Sequence, residues 1–558
     1  MAPDAEPARP LWAPDVGTPA IRFGDEVADE ALRIQVRDPA SDEYGGYRAP
    51  DTLVCEGRAA VNVALVLTTL WGDSRSRHCR SDVAIESVRL ALAFFEERVQ
   101  YDDGTIDGFH AGDMQAAANV AFAAYTLYDL RARWLTIDHP AAAETLGRCQ
   151  RCMVKAGHAL RTGGLFTPNH RWIACAAMAR INEVERDKRL VAKIDDYLGD
   201  GIDQDADGFY SEYSPGYAML CNTSFIEVAR LLDRPGLVDC VRRNAALLFW
   251  TLQPNGEVAC EFTKRGDTGA IGSLPVLLEM ARREQDGRYL SVARAALDRT
   301  MRNLWADVAA QRGTTVGAFY QATMSAVGIL EVARAAAPTV AAEPAPDSYR
   351  RTFPAAGIAR IRRGSFSATI IGRPGSTNLL AVRCGDTIID GTRIGYRYYG
   401  SRIAASEGLA EEDGEYVIRH AFARYVDGPV AARTIDFHPD LGIRLGIREI
   451  PDGLALSLSA LGHAKVSVFV EFAVRPEGML SLRGDLVSLG DGERHDLTAG
   501  GPVRIINGRD ALEIAGDLVV EHRILADGKF TRYGRMTSLV VAPRTPYDGT
   551  ITIRGYHD

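Results

Sequence analysis

The sequence predicts an α+β protein in two parts, an N-terminal incomplete (α/α) toroid followed by a C-terminal antiparallel β-sandwich. Three observations predict it. From about residue 52 to about 336, apolar residues recur at helical spacing, as in AAVNVALVLTTLW, VRLALAFFEERV, AANVAFAAYTLYDLRARWL and FYQATMSAVGILEVARAAA. Beyond about residue 350 the period changes to two: Ile443, Leu445 and Ile447 alternate with Gly and Arg, and Leu454, Leu456 and Leu458 with Ala and Ser. Between the two patterns, APTVAAEPAPDSY (337–349) is Ala/Pro-rich and without period, as a semi-rigid linker or covering loop is. The expected parts are an N-terminal extension (1–51), a helical catalytic domain (52–340) and a β-sandwich (350–558).

Within the helical part, DDGTIDGF, RTGGLFTPNH, DQDADGFYSEYSPGY and LQPNGEVACEF break the helical period and belong to loops. Those loops also carry most of the polar and aromatic residues suited to chemistry. In the β part, KVSVFVEFAV, DLVVEHRIL and SLVVAP are separated by PDG, GDG and ADG turns, which indicates many antiparallel strands. A sheet with one apolar face must bury it against a second sheet, hence a sandwich.

Composition bounds the function. With 558 residues, 46 % hydrophobic and 25 % charged, the chain builds large cores without staples. Nine scattered cysteines read as free thiols, and the lone Cys149-x-x-Cys152 has no second pair at zinc spacing. The start, MAPDAEPARPLWAPDVG, has no basic segment followed by an apolar run. A cytoplasmic protein away from membranes is expected, or a secreted or periplasmic one if a leader was removed. A net charge of −9 argues against nucleic-acid binding but not against an acidic glycan held by a local Arg/Lys cluster.

Two segments stand out. In TPNHRW, Asn169, His170, Arg171 and Trp172 open a helical run. An Asn there donates to a carboxylate at the positive end of a helix, with His170 beside it as base or second neutralising group. The plainer alternative is that Asn169 caps the helix. The second segment, DADGFYSEYSPGYAMLCN (205–222), gathers Tyr210, Tyr213 and Tyr217 with Glu212 where a loop enters a helix.

Asn-His at one helix start, with D-G-F-Y-S-E-Y-S-P-G-Y some forty residues later, resembles the heparinase II/III superfamily and the related alginate oligo-lyases. The stretches DDGTIDGFHAGDMQAAANVAF and EVACEFTKRGD, and more loosely FPAAGIARIRRGSFSATI and IIDGTRIGYRYYGS, fit the same likeness. The resemblance implies β-elimination beside a uronate, which needs a neutralised carboxylate, a base for the α-proton and an acid for the leaving oxygen. It implies that Asn169 and His170 neutralise the carboxylate and that Tyr217 moves protons. A further His or Tyr from the β part is implied, with His420 in YVIRHAFARY first and His438 in DFHPD second; either His serves equally as an ordinary strand residue. Arg171, Trp172, Glu212, Tyr213, Lys264, Arg265, Arg393, Arg397 and Arg402 are expected to bind an acidic poly- or oligosaccharide, the arginines through two-oxygen forks. This chemistry requires no cofactor, a structural divalent metal in the β part stays open, and no oligomeric state is implied.

Two other functions compete. A glycoside hydrolase would pair Asp207 or Glu212 with Glu261 across a scissile bond. A non-catalytic glycan-binding protein would need aromatic platforms and cations but no proton-transfer set.

Overall fold

Helices dominate the first 334 residues and strands the remainder. The computed structural model describes residues 14–50, 53–107, 117–163, 167–265, 274–298, 318–334, 339–397, 401–425, 435–482, 485–489, 495–497, 502–516, 520–525 and 536–557. The chain divides into two units. The first takes Met1–Gln204, Gly216–Ala246 and Ile271–Ala345; the second takes Asp205–Pro215, Leu247–Ala270 and Pro346–Asp558. Two segments from the helical half of the sequence therefore cluster with the strands.

The helices are α1 (Pro14–Ile34), α2 (Gly57–Trp71), α3 (Asp82–Phe94), α4 (Ala117–Trp134), α5 (Ala142–Thr162), α6 (Pro168–Glu185) and α7 (Lys188–Gly199). There follow α8 (Pro215–Leu231), α9 (Leu237–Ala246), α10 (Leu248–Thr251), α11 (Leu274–Glu284), α12 (288–298) and α13 (Ala318–Arg334). In α2 every residue is buried, which explains an apolar sequence on all sides of that helix. Its first turn is closed by Glu56, whose carboxylate accepts the Ala59 N–H at 2.6 Å. Helix α1 arises inside the stretch expected to precede the helical domain. Ala20, Ile21, Phe23, Val27, Ala28 and Ala31 are buried at helical spacing, and α1 packs on α2 and α13. The Pro- and charge-rich context of this stretch hides that stripe.

Three loops repeat one geometry. In 101–105, 205–209 and 253–257 the first residue's N–H donates to the carbonyl of the last, at 2.9, 2.8 and 2.7 Å, and a glycine N–H closes the turn. Gly104, Gly208 and Gly256 hold φ of 87°, 102° and 82°, where a side chain is strained. A glutamine precedes or opens each turn. Gln100 donates to the Cys152 carbonyl of α5 and Gln204 to the Cys240 carbonyl of α9, both at 2.9 Å.

The strands of the second unit are β1 (Ser348–Phe353), β2 (Ile358–Arg363), β3 (Phe366–Ile371), β4 (Leu380–Cys384), β5 (Thr387–Arg397), β6 (Ser401–Ile403), β7 (Leu409–Glu412), β8 (Glu415–Tyr425), β9 (Ile435–Ile450) and β10 (Gly453–Gly462). They continue with β11 (Ser467–Val474), β12 (Met479–Leu482), β13 (Asp485–Ser488), β14 (His495–Leu497), β15 (Val503–Asn507), β16 (Asp510–Gly516), β17 (Val520–Leu525), β18 (Met536–Val541) and β19 (Tyr547–His557). One sheet runs β1-β2-β3-β4-β5-β11-β18-β17-β14 with β6 on β5; the other runs β13-β12-β15-β16-β19-β10-β9-β8-β7. Apolar side chains of both sheets share one core, including Ile361, Val382, Ile394 and Phe472 of the first and Ile447, Leu456, Leu512 and Ile553 of the second. The PDG turn at 451–453 joins β9 to β10 with Asp452 at φ 59°. The GDG and ADG turns lie outside the described residues.

Strands β3 and β4 are buried at every position, so their second face is covered as well. The cover comes from 247–265. Arg360 and Arg362 donate to the carbonyls of Trp250 and Leu252 at 3.2 and 2.9 Å, and Asn378 donates to that of Glu261 at 3.2 Å. Beneath lies a buried ion network. Arg383 bonds Glu257, Glu261 (2.8 Å) and Asp390 (3.2 Å), while Arg475 bonds Glu257 (2.8 Å) and Asp390 (2.9 Å). Arg360 joins through Gln253, which accepts from Arg360 and donates to Glu261, both at 3.1 Å. Three cations thus face three carboxylates, so no net charge is left in the low-dielectric interior.

Removing one member of such a network strands the others. Arg383→Met is expected to cost about 3–5 kcal/mol of unfolding free energy, read as a lowered denaturant midpoint. Burial opposes ionisation of Glu257, yet Arg383 and Arg475 outweigh it and hold its carboxyl well below the usual range. The stabilisation is therefore present above the ordinary glutamate value of about 4.3 and lost as pH falls below it. Wild type should lose thermal stability more steeply than Glu257→Gln over that acidic window; parallel curves would refute the assignment.

Candidate active site

In the first unit, the expected chemical residues occupy helix starts. Thr167 is the N-cap of α6, with φ −131° and ψ 159°, and Pro168 takes the first helical position. Asn169 and His170 thus lie inside the first turn, and the cap, the plainer alternative for Asn169, is Thr167. The Asn169 amide donates to the Thr167 hydroxyl at 3.0 Å and is only 1 % exposed. His170 is half-buried. Tyr217, partly exposed, stands in the first turn of α8 behind Pro215. Both turns present the positive end of a helix, which favours a nearby anion.

Helices α6 and α8 are tied at two points. Trp172 packs on Phe225 with ring centroids 4.7 Å apart, and Arg180 pairs with Glu227 at 2.7 Å. Trp172, expected beside substrate, is 1 % exposed, and its indole N–H donates to Asp203 at 3.1 Å. It is packed within the helical unit, as are all residues from 172 to 181 of α6. Arg171 lies over the Trp172 ring at 4.3 Å and near Asp203 and Asp200 at 3.7 and 3.8 Å.

In the second unit, Glu212, Tyr213, Lys264 and Arg265 come together. Arg265 bonds Glu212 at 2.6 Å, the Lys264 ammonium donates to the Ser211 carbonyl at 3.0 Å, and the Lys264 N–H donates to the Glu212 carbonyl at 3.1 Å. Tyr213 has φ 52°, an unusual left-handed backbone for a tyrosine. Its hydroxyl donates to Asp205 at 3.1 Å, and Asp205 also accepts the N–H groups of Asp207 and Phe209 at 3.0 and 2.9 Å. The Lys264 ammonium and the Arg373 guanidinium stand 5.2 and 4.3 Å from the Tyr213 ring centre. Arg373 and Asp205 were not anticipated. Asp205 opens an Asx-type turn legible in DADG, whereas Arg373 comes from a distant RPG turn with no local signal.

The remaining expected residues lie in the sheets. Arg393 of β5 pairs with Glu471 opposite it on β11, and the Ser538 hydroxyl donates to the same carboxylate at 2.6 Å. Arg393, expected on the substrate path, is engaged in an ion pair because its neighbour across the ladder is a buried acid. Arg397 and Arg402 are exposed on β5 and β6. His420 of β8 is half-buried. Its Nδ1–H donates to the Ala405 carbonyl at 3.0 Å, which leaves Nε2 to accept from the Tyr396 hydroxyl at 3.2 Å. A hollow of about 10 Å³ beside it is lined by Leu379, Ala404, Ile418 and Ile443, too small for a sugar. The His438 side chain lies outside the described residues, as do residues 108–116 of the stretch DDGTIDGFHAGDMQAAANVAF. Among the described residues, no three His, Cys, Asp or Glu side chains gather as a metal site, and no helix is long and apolar enough to cross a membrane.

Burial pushes the Tyr213 phenol up to about 12, reinforced by the Asp205 carboxylate and opposed by Arg373. The neutral phenol stabilises the fold fully below the ordinary value of about 10, and that contribution is lost as pH rises through 12. Asp205→Asn should bring the Tyr213 titration down toward the ordinary range, followed by phenolate absorbance with Tyr213→Phe as blank. An unmoved titration would remove Asp205 from the account.

No family model matches the sequence, and no curated protein matches it. Solved structures do. The chain is similar to heparinase III, at 11 % identity over 96 % of this chain and 85 % of that one, with a TM-score of 0.59. It is similar to a mutant of the heparan sulfate lyase HepC from Pedobacter heparinus, at 11 % identity over 96 % and 83 %, with a TM-score of 0.53. It is similar also to a chondroitinase AC lyase, at 9 % identity over 97 % and 83 %, with a TM-score of 0.52. At such identities the likeness establishes the fold, a helix-rich region followed by antiparallel sheets as in polysaccharide lyases.

Proposed function

We propose that this chain is a polysaccharide lyase that cleaves a uronic-acid-containing glycan by β-elimination. The observation that carries the reading is the pair of helix starts: an amide and an imidazole in the first turn of α6, and a phenol in the first turn of α8. The fold shared with lyases supports it.

In this reading the substrate carboxylate meets the Asn169 amide and His170 at the positive end of α6. Neutralising it makes the neighbouring C–H acidic, since the carbanion formed there spreads onto the carboxylate oxygens. Tyr217 removes that proton and returns one to the glycosidic oxygen as the carbon–oxygen bond breaks, leaving a carbon–carbon double bond in the uronate. The toroid and the substrate contacts of Arg171, Glu212, Tyr213, Lys264, Arg265, Arg397 and Arg402 belong to the same proposal. His420 would reach substrate only after giving up its bond to Tyr396.

The hydrolase alternative fares worse. Glu261 is bonded to Arg383, Glu212 to Arg265, and Asp207 accepts the Ala356 N–H at 3.0 Å. Each carboxylate has a structural task. A glycan-binding protein without turnover would be indifferent to a single phenol oxygen.

Tyr217→Phe should keep the fold and lower turnover by about a hundredfold or more with affinity little changed, whereas Asn169→Ala should weaken both. The assay is the near-ultraviolet absorbance of unsaturated uronate across a panel of acidic glycans, with circular dichroism as the folding check. Near-normal turnover in folded Tyr217→Phe would move the proton-transfer role elsewhere.

A further inference from the structure

Several cations of the second unit are matched by acids: Arg265, Arg383, Arg393 and Arg475 each bond a carboxylate. Arg360 and Arg362 instead bond carbonyls of 247–265 and Gln253. Lys264 and Arg373 are also held by carbonyls, but they meet at a single ring. The Lys264 ammonium donates to the Ser211 carbonyl at 3.0 Å and the Arg373 guanidinium to the Phe262 carbonyl at 3.1 Å; neither pairs with an acid among the described residues. Glu212, whose charge reaches Lys264, is bonded to Arg265. The Arg373 Nη1 meets no acceptor among the described residues, so its desolvation is uncompensated.

Both cations nevertheless converge on one ring, at 5.2 and 4.3 Å from its centre. Their mutual repulsion contributes to lowering the Lys264 ammonium, after burial. The Tyr213 phenol is neutral at ordinary pH and cannot act as their counter-ion. Tyr213 itself is kept in a strained backbone conformation, and such strain persists where the surroundings demand a particular side-chain position. Two cations gathered on one ring without an acid of their own form an arrangement that an incoming anion completes: a flexible ammonium with donors to spare, and a planar fork able to hold two oxygens.

We propose that Lys264 and Arg373, gathered on the ring of Tyr213, form a subsite for an anionic substituent, a carboxylate or a sulfate ester, of an acidic glycan. The glycan rests on the lyase reading; the subsite rests on the second unit alone. In that reading Asn169 and His170 meet the carboxylate undergoing elimination, so the subsite is assigned to a further anionic group of the glycan.

Calorimetric titration of the full chain at low salt tests this with three probes of equal length: a glucuronate-containing oligosaccharide, its sulfated counterpart and a neutral cello-oligosaccharide. Lys264→Met and Arg373→Met should each weaken binding of a charged probe about tenfold and flatten its salt dependence, with Arg373→Lys partly restoring affinity. Binding of the carboxylate probe through these residues assigns a uronate; binding of the sulfated probe alone assigns a sulfate ester. Equal affinity of wild type and folded variants for the charged probes overturns the subsite, as does wild type that binds none of them. Charged-probe binding that depends on Lys264 and Arg373 without any unsaturated product would leave the subsite standing and overturn the lyase reading. Unsaturated product with unaltered affinity in the variants would do the reverse.

Discussion

The second unit depends on charge buried without excess. Arg383 and Arg475 sit among Glu257, Glu261 and Asp390, with Arg360 reaching the same group through Gln253. Apolar residues of similar size could pack such a space with comparable stability, so the ions need another justification. Their geometry suggests one. Glu257 and Glu261 sit four residues apart on one short segment, and their arginine partners come from β4 and from the residue after β11, where Asp390 of β5 shares them. A register slip of one residue would leave buried charges unmatched, which is far costlier than a misplaced methyl group. The network therefore fixes where 247–265 lies on the sheet, and through it the positions of Lys264 and Arg265.

Much of the fold was legible because periodicity is a direct consequence of burial. Helical spacing up to residue 334 and two-residue alternation beyond β1 follow from which faces meet a core, and both are present in the sequence alone. The assignment of 205–215 and 247–270 to the strand-bearing unit was not legible. These segments read as loops between helices because their neighbours in sequence are helices, while the groups that hold them, such as Arg383 and Arg475, lie more than a hundred residues away. Helix α1 was hidden for a different reason: its apolar stripe is built largely of alanine, which carries little weight against nearby prolines and acids.

The candidate chemical residues divide in the same way. Asn169 and Tyr217 stood out because the residues around them, TPNH and SPGY, are helix-start signals with prolines at or near the first helical position. What such signals cannot convey is which side of the helix faces inward, and Trp172 turned out to pack against Phe225. Arginines posed the harder problem. In a chain with 64 lysines and arginines, side-chain type does not distinguish Arg393, matched to Glu471, from Arg373, matched to no acid among the described residues. That distinction is made by the neighbouring strand, which only the sheet register supplies.

The separation between Glu257 and Arg475 also bears on how the chain is made. They are 218 residues apart. At a ribosomal pace of 5–20 residues per second, Glu257 is made roughly ten to forty seconds before Arg475, the later of its two guanidinium partners. Early in that interval the carboxylates of 247–265 stay hydrated and their segment has no sheet to lie on, whereas helices α3 to α7 already have the helices they pack on. Assembly during synthesis thus runs from the helices toward the strands, and the second unit closes only when nearly the whole polypeptide has emerged. A nascent chain stopped short of β11 would display 247–265 as an exposed, protease-sensitive strap.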